Sequence, residues 1–290
     1  MTRRYPFVTL DVFTTTRFGG NPLAVFPDAR GLSDAEMLAL AREFNLSETT
    51  FVLPPEDPAN TARVRIFSRA GEMPFAGHPN VGTGVALAAR AVDGLLRFEE
   101  IAGLVEVRVA GDSAEITAPQ PLALGQEMDA ALLAGCVGIA PADVITEGHA
   151  PVIAACGNFF IIAQVTEAAL AQARPDPAAF AAAAQAFPHL GARGLPLYLY
   201  AVTGAETLRA RMFAPLTGTM EDAATGSAAA PLAALRLSLT DDASARFDIT
   251  QGVEMGRPSL MRTTARRDGS AIHATVGGAC VPVLRGEALL

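Results

Sequence analysis

The sequence predicts an α+β protein of two pseudo-symmetric lobes, each a β-barrel-like sheet wrapped around a central helix. Three observations carry this. The two halves resemble each other: GGNPLAVF (19–26) matches CGNFFIIA (156–163) with Asn21 opposite Asn158, and FAGHPNVGTGVALAA (75–89) matches AATGSAAAPLAAL (223–235) with Gly77 opposite Gly226 and His78 opposite Ser227. Each glycine turn opens an apolar, small-residue helical pattern with so little polar surface that it must be buried nearly all round. The remaining chain is mostly short β-rich runs bounded by turn residues.

In order, FVTLDVF (7–13) and LAVF (23–26) read as strands around a Gly-Gly-Asn-Pro turn. SDAEMLALAREFN (33–45) is a punctuated helix: Ser33 and Glu36 form a capping-box pattern, Met37, Leu40, Ala41 and Phe44 share a face, and Asn45 suits the C-terminal cap. SETTFVL (47–53) and TARVRIFS (61–68) are strands, NVGTGVALAARAV (80–92) is a helix, and LVEVRVAG and SAEITA are strands. The Pro-containing APQPLALGQ (118–126) is taken as a linker, dividing the chain into an N-terminal lobe, 1–117, and a C-terminal lobe, 118–290, whose last residues are free to return to the first. ALLAGCVGI is a helix and PVIAACGNFFIIAQV (151–165) is strand-like; two alanine-rich helices occupy about 166–187. LPLYLYAVTG and TLRARMFAP are strands, TGSAAAPLAALRLSL (225–239) is a helix, and the C-terminus is a strand series.

Composition excludes several functions. The 290 residues carry a formal net charge of −8 with no Lys/Arg-rich run, so no clustered basic surface is available for nucleic acid. Three widely spaced cysteines without a CxxC, and four histidines without HxxxH or HExxH spacing, argue against a disulfide framework, a zinc site or another metal site. No stretch is long and apolar enough for a signal peptide or a membrane span, which leads to the expectation of a cytoplasmic protein without a membrane partner.

Glycine-rich turns present backbone N–H groups to anions. Gly77 and Gly82 have P-loop spacing, but Thr83 and Gly84 follow where a P-loop needs Lys and Ser/Thr, so a nucleotide phosphate is excluded. EDAATGSAAA (221–230) places Asp222, Thr225 and Ser227 at the second helix start, where they serve as caps or grip a substrate hydroxyl or amine. Glu48, in NLSETTFV, shares a strand face with Thr50 and Val52. Alternation leaves open whether that face is solvent-exposed or holds a partly buried carboxylate with a raised pKa, suited to proton transfer. Cys156 invites a cysteine-base racemase, but it lies opposite the Gly-Gly turn in the repeat and not at a helix mouth.

Seven stretches in order resemble the phenazine-biosynthesis PhzF-like family, which shares the diaminopimelate epimerase-like fold. They are VTLDVFTTTRFGGNPLAVF, NLSETTFV, FAGHPNVGTG, CGNFF, EDAATGSAAAPLAAL, QGVEMGRPS and VGGACVPVLRG. The resemblance implies a cofactor-free, metal-free isomerase, usually a homodimer, with its site between the lobes. It moves a proton within a small carboxylic acid by acid/base catalysis. On matching positions Glu48 is the acid/base, with His78, Asp222 and Ser227 completing the polar site. Backbone N–H groups near Gly77, Gly226 and Ser227 hold the carboxylate, and Asn21, Ser47 and Thr225 are neighbours. Departures from the family wording, Asn80 and Ala223 among them, bear on substrate identity. A racemase or epimerase of a small amino or hydroxy acid, and a non-catalytic small-molecule binder, are the alternatives.

Overall fold

The computed structural model describes residues 2–290. The chain divides into two compact units, Met1–Pro119 with Val276–Leu290, and Gln120–Thr275. Among the described residues no helix is long and apolar enough to cross a membrane.

The first unit runs β1 (Arg4–Val12), β2 (Asn21–Phe26), α1 (Asp34–Phe44), β3 (Glu48–Leu53), β4 (Ala62–Ser68), β5 (Glu72–Met73), α2 (Gly77–Ala86), β6 (Leu95–Glu100), β7 (Gly103–Ala110) and β8 (Ser113–Thr117). The second runs β9 (Ala123–Glu127), α3 (Ala130–Val137), β10 (Val144–Ile145), β11 (Val152–Ala155), β12 (Phe159–Val165), α4 (Glu167–Gln172), α5 (Pro177–Ala184), β13 (Leu197–Val202), β14 (Thr207–Ala214), β15 (Thr219–Asp222), α6 (Gly226–Ser238), β16 (Ser244–Gln251) and β17 (Ser259–Asp268). The last strand, β18 (Ala271–Leu289), starts in the second unit and ends in the first.

In the first unit, strands pair in the order β18, β1, β2, β3, β4, β6, β7, β8 and back to β18, a closed barrel without a free edge. Helix α2 runs against the inner face, with Gly77 to Gly84 all buried. Two of its glycines are demanded by this packing: a Cβ on Gly82 would stand 2.5 Å from Leu23 Cδ2, and one on Gly84 would stand 2.6 Å from Val107 Cγ1. Helix α1 covers the opposite face of the sheet, where Phe26, Phe51 and Phe67 join Met37, Leu40 and Ala41 in one core cluster.

The second unit repeats this plan. The pairs β1/β2, β2/β3, β3/β4, β4/β5, β4/β6 and β6/β7 are antiparallel, parallel, antiparallel, antiparallel, parallel and antiparallel. The pairs β11/β12, β12/β13, β13/β14, β14/β15, β14/β16 and β16/β17 follow the same sequence of directions. Helix α6 takes the place of α2, its residues from Ala228 to Leu235 all buried. In the parallel crossover, α1 is answered by α4 and α5.

Several details differ from the expectation, and the helix expected over 80–92 ends at Ala86. The proposed linker 118–126 contains most of β9, which pairs antiparallel with β11; its prolines precede the strand and leave the ladder intact. Helix α2 starts at Gly77, three residues before the expected start, because Pro79 falls in the first turn, where a missing N–H costs no intrahelical bond. Strand β6 was not anticipated at all, since LLRFEE shows little contrast between its faces. By contrast, α1 carries the expected capping box between Ser33 and Glu36 and a left-handed Asn45 at its C-cap.

Candidate active site

The barrel interior decides the face of Glu48. Thr50, two residues along β3, is fully buried and its hydroxyl lies 2.8 Å from that of Thr83 on α2. Phe51 points the other way, into the cluster under α1. Glu48 therefore sits on the inner face at the strand's first residue, beside the start of α2, with its side chain only 16% exposed.

Its Oε2 lies 3.4 Å from Nε2 of His78, the second residue of α2. The His78 ring is buried, and burial pushes its pKa down to about 3, so the imidazole is neutral at neutral pH. Its Nδ1 lies 3.5 Å from the Asn21 amide nitrogen, and Asn21 Oδ1 accepts from Ser47 Oγ at 3.2 Å. An amide donor at Nδ1 makes Nδ1 the acceptor, which places the ring proton on Nε2, toward Glu48. Asn21 itself is aimed by Gly20, whose φ of +64° and close approach to the Val12 carbonyl exclude a side chain. Asn21, Ser47, Glu48, Gly77 and His78 thus form one constellation in the first unit.

The second unit gathers Asp222, Thr225, Gly226 and Ser227 at the start of α6. Thr225 Oγ1 donates to Asp222 Oδ2 at 2.6 Å. Gln251, fully buried at the end of β16, holds this turn: its Nε2 donates to the Asp222 carbonyl (2.8 Å) and to Thr225 Oγ1 (3.0 Å). Its Oε1 accepts from Thr225 N–H (3.2 Å) and from the Tyr198 hydroxyl (3.1 Å). Ser227, at the second position of α6, is half-buried.

Both helices begin without a side-chain cap on their own N–H groups. The first-turn N–H groups of a helix have no intrahelical acceptor and carry the positive end of its dipole, so each mouth suits an anionic oxygen. Among the described residues, no three His, Cys, Asp or Glu side chains gather where a metal ion could be held.

The phenazine biosynthesis-like protein family profile matches residues 10–286. The chain belongs to the phenazine biosynthesis-like family. Within it, the chain is 37% identical over 301 residues to an uncharacterized isomerase of Mesorhizobium japonicum, covering 99% of this chain and 98% of that one. It is 36% identical over 302 residues to the trans-2,3-dihydro-3-hydroxyanthranilate isomerase of Pseudomonas chlororaphis, covering 98% and 99%. A Bacillus anthracis phenazine biosynthesis protein of the PhzF family has the same fold, with TM-score 0.88 at 22% identity over 99% and 100% of the two chains. Kinship at this level over the full length makes this phenazine biosynthesis-like protein an enzyme of the isomerase class.

Sequence reasoning missed the residues that hold the two mouths. Arg65 makes a two-bond fork with Glu72 (2.7 and 2.6 Å), and Arg211 makes the same fork with Glu221 (2.7 and 2.8 Å). Each guanidinium also lies over the ring two residues on, Phe67 at 5.2 Å and Phe213 at 4.9 Å. The signal was present: RIF and RMF precede the two glycine turns, so the repeat extends upstream of the part that was matched. Gln251 lies in QGVEMGRPS, which contributed to the family resemblance but offered no titratable side chain to single it out. The three cysteines are buried and free, and burial pushes the Cys156 thiol up to about 12, as befits a packing residue.

Proposed function

We propose that this isomerase shifts a proton between carbons of a small cyclic carboxylic acid, trans-2,3-dihydro-3-hydroxyanthranilate or a close relative of it, without a cofactor. The observation that carries the reading is the Glu48 carboxylate, mostly withdrawn from water, set beside a neutral His78 at the bare N-terminus of α2. Glu48 takes the proton from one substrate carbon and returns it to another, so a single carboxylate serves as base and then as acid. His78, neutral with its proton on Nε2, steers the carboxylate and does not compete as an acid. Negative charge that develops on the substrate is held by the N–H group of Gly77 at the α2 mouth; at the mouth of α6, Gly226 and Ser227 offer N–H groups of the same kind, and Asp222 and Thr225 suit hydroxyl or amine groups. Asn21 and Ser47 keep the His78 ring in its tautomer. The enzyme is proposed to work as a homodimer.

A two-base epimerase would be served by a second base in the repeat position of Glu48. The register of the two units puts Pro196 there, because Ala24 pairs with Thr49 where Ile161 pairs with Leu197. This favours the one-base isomerase.

Incubation of the relatives' substrate in D₂O, followed by NMR, should show deuterium at the carbon that receives the proton. Glu48→Gln is expected to lower kcat by about 10²-fold or more with the fold intact. Isotope entry at the wild-type rate in that variant would remove Glu48 from the role. Interconversion of single enantiomers of an amino or hydroxy acid on a chiral column would move the reading to epimerisation. Light scattering tests the dimer.

A further inference from the structure

The register of the two units also pairs residues that the mechanism leaves unused. Arg65 corresponds to Arg211, so Arg63 corresponds to Arg209. Arg63 pairs with Glu99 on β6, and Arg209 pairs with Thr250 on β16. The next residues along, Glu100 and Gln251, are therefore equivalents, each the last residue of its strand. Gln251 clamps the start of α6 through three hydrogen bonds and accepts a fourth from Tyr198 on β13.

Glu100 lies where it could do the same for α2. Both of its carboxyl oxygens are buried and neither meets an aligned donor, although the Asn80 amide lies alongside. Asn80, fully buried in the first turn and a half of α2, donates from Nδ2 to the Ala76 carbonyl at 3.1 Å. Its own Oδ1 is buried without a donor. Buried carboxyl and amide oxygens left without a donor are an arrangement that buried polar groups avoid, and the Asn80 side chain is within reach of Glu100. The turn after Glu100 is tied to the same segment, Ala102 N–H donating to the Pro74 carbonyl at 3.0 Å.

We propose that Glu100 is a positioning residue for the α2 mouth, the counterpart of Gln251, and that it acts as an uncharged acid donating its proton to Asn80 Oδ1. The chain of contacts then runs from Glu100 through Asn80 to the Ala76 carbonyl, and fixes the peptide units that precede Gly77 and His78. Ala76 has no side-chain group to bond, whereas its counterpart Thr225 does, so the first unit needs Asn80 as the intermediary. A neutral carboxylic acid and a carboxamide have nearly the same shape and both offer a donor, which is why Glu and Gln can hold equivalent places. Burial supports the neutral form, pushing the Glu100 carboxyl up to about 8.

The proposal rests on the reading of the α2 mouth as an anion site, and the test separates the two. Glu100→Gln and Glu100→Leu are compared with wild type by titration with benzoate, a stable ring carboxylate, by kinetics on the relatives' substrate, and by amide hydrogen exchange. Glu100→Gln should match wild type within about twofold in all three. Glu100→Leu should raise the benzoate Kd and KM by about fivefold or more, with kcat little changed, the loss of about one hydrogen bond's worth of order at the site. Amides of residues 76–80 should exchange about tenfold faster in the Leu variant, while those at the start of α6 stay as they are. Exchange and binding in Glu100→Leu equal to wild type would overturn the proposal, as would a Glu100→Gln variant as impaired as Glu100→Leu. Absence of benzoate binding and turnover in the wild type itself would count against the anion site, and the exchange data would still judge Glu100. Should Glu100→Leu fail to fold, Asn80→Ala is expected to speed exchange at residues 76–80 in the same way, and an unchanged rate there would refute the chain of contacts.

Discussion

Helix α2 begins after Ala76, which has no side-chain group to bond, and α6 begins after Thr225, whose hydroxyl is held by Asp222 and Gln251. The two helices occupy the same place in the same order of strands, and each is fed by a short hairpin pinned through an Arg–Glu fork. What differs is the chemistry at the tip. His78 stands opposite Ser227, Glu48 opposite Pro196, and Glu100 opposite Gln251. The barrel frame depends on backbone pairing and small-residue packing, which both units retain. The tip residues differ in their side-chain chemistry: a carboxylate beside an imidazole at the first mouth, and Asp222 with hydroxyls and an amide at the second.

The largest expected contrast lies in the two forks. Arg211 is 2% exposed and also donates to the carbonyls of Leu170 (2.8 Å) and Ala173 (2.9 Å). Arg211→Met strands Glu221 and should cost about 3–5 kcal/mol in urea unfolding. Arg65, at 12% exposure, pairs with Glu72 at 23% and Asp34 at 80%, where water takes over much of the lost interaction. Arg65→Met should cost about 1 kcal/mol. Equal losses would break the contrast between the units.

Acid should weaken the first mouth specifically. His78 has an ordinary pKa of 6.5 in the unfolded chain and about 3 when buried. Above pH 6.5 the ring is neutral in both states and contributes no pH dependence. Between 6.5 and about 3 the unfolded chain takes a proton that the folded one refuses, so stability falls as pH falls, by up to about 1.4 kcal/mol per unit. His78→Gln should flatten that part of a stability–pH curve, while Ser227→Ala leaves it unchanged. An unaltered slope in His78→Gln would show that other groups dominate.

The smallest effect concerns helix packing. Gly82→Ala introduces a methyl 2.5 Å from Leu23 and 2.8 Å from Val12. Overpacking of about 1–3 kcal/mol outweighs the gain of about 1 kcal/mol in helix propensity, so thermal unfolding should show a net loss of about 1 kcal/mol. A stabilised variant would mean that the barrel yields more readily than its close contacts imply.

Read one residue at a time, the sequence settled more of the frame than of the site. The glycine turns and the buried small-residue helices were legible because a helix without a polar face has only one kind of place to go. The capping box on α1 was legible because capping is local. The family motifs pointed to Glu48 and His78, but alternation could not choose the inner face for Glu48. That choice falls to α2, which fills the barrel and draws Thr50 to Thr83, turning Phe51 outward beneath α1. Strand β6, and with it Glu100, escaped notice because a barrel strand with mixed faces carries no clear period.

By itself, then, the sequence determined the repeat, the two small-residue helices that follow the glycine turns and the residue types at each mouth, all set by composition and short-range chemistry. Only the tertiary structure decided which of these residues meet: His78 with Asn21 and Glu48, Gln251 with Thr225 and Tyr198, Arg211 with Glu221. Apart from Arg211 and Glu221, which face each other across one hairpin, those partners lie far apart along the chain, and they come together because barrel closure and strand register fix distances that no local pattern encodes.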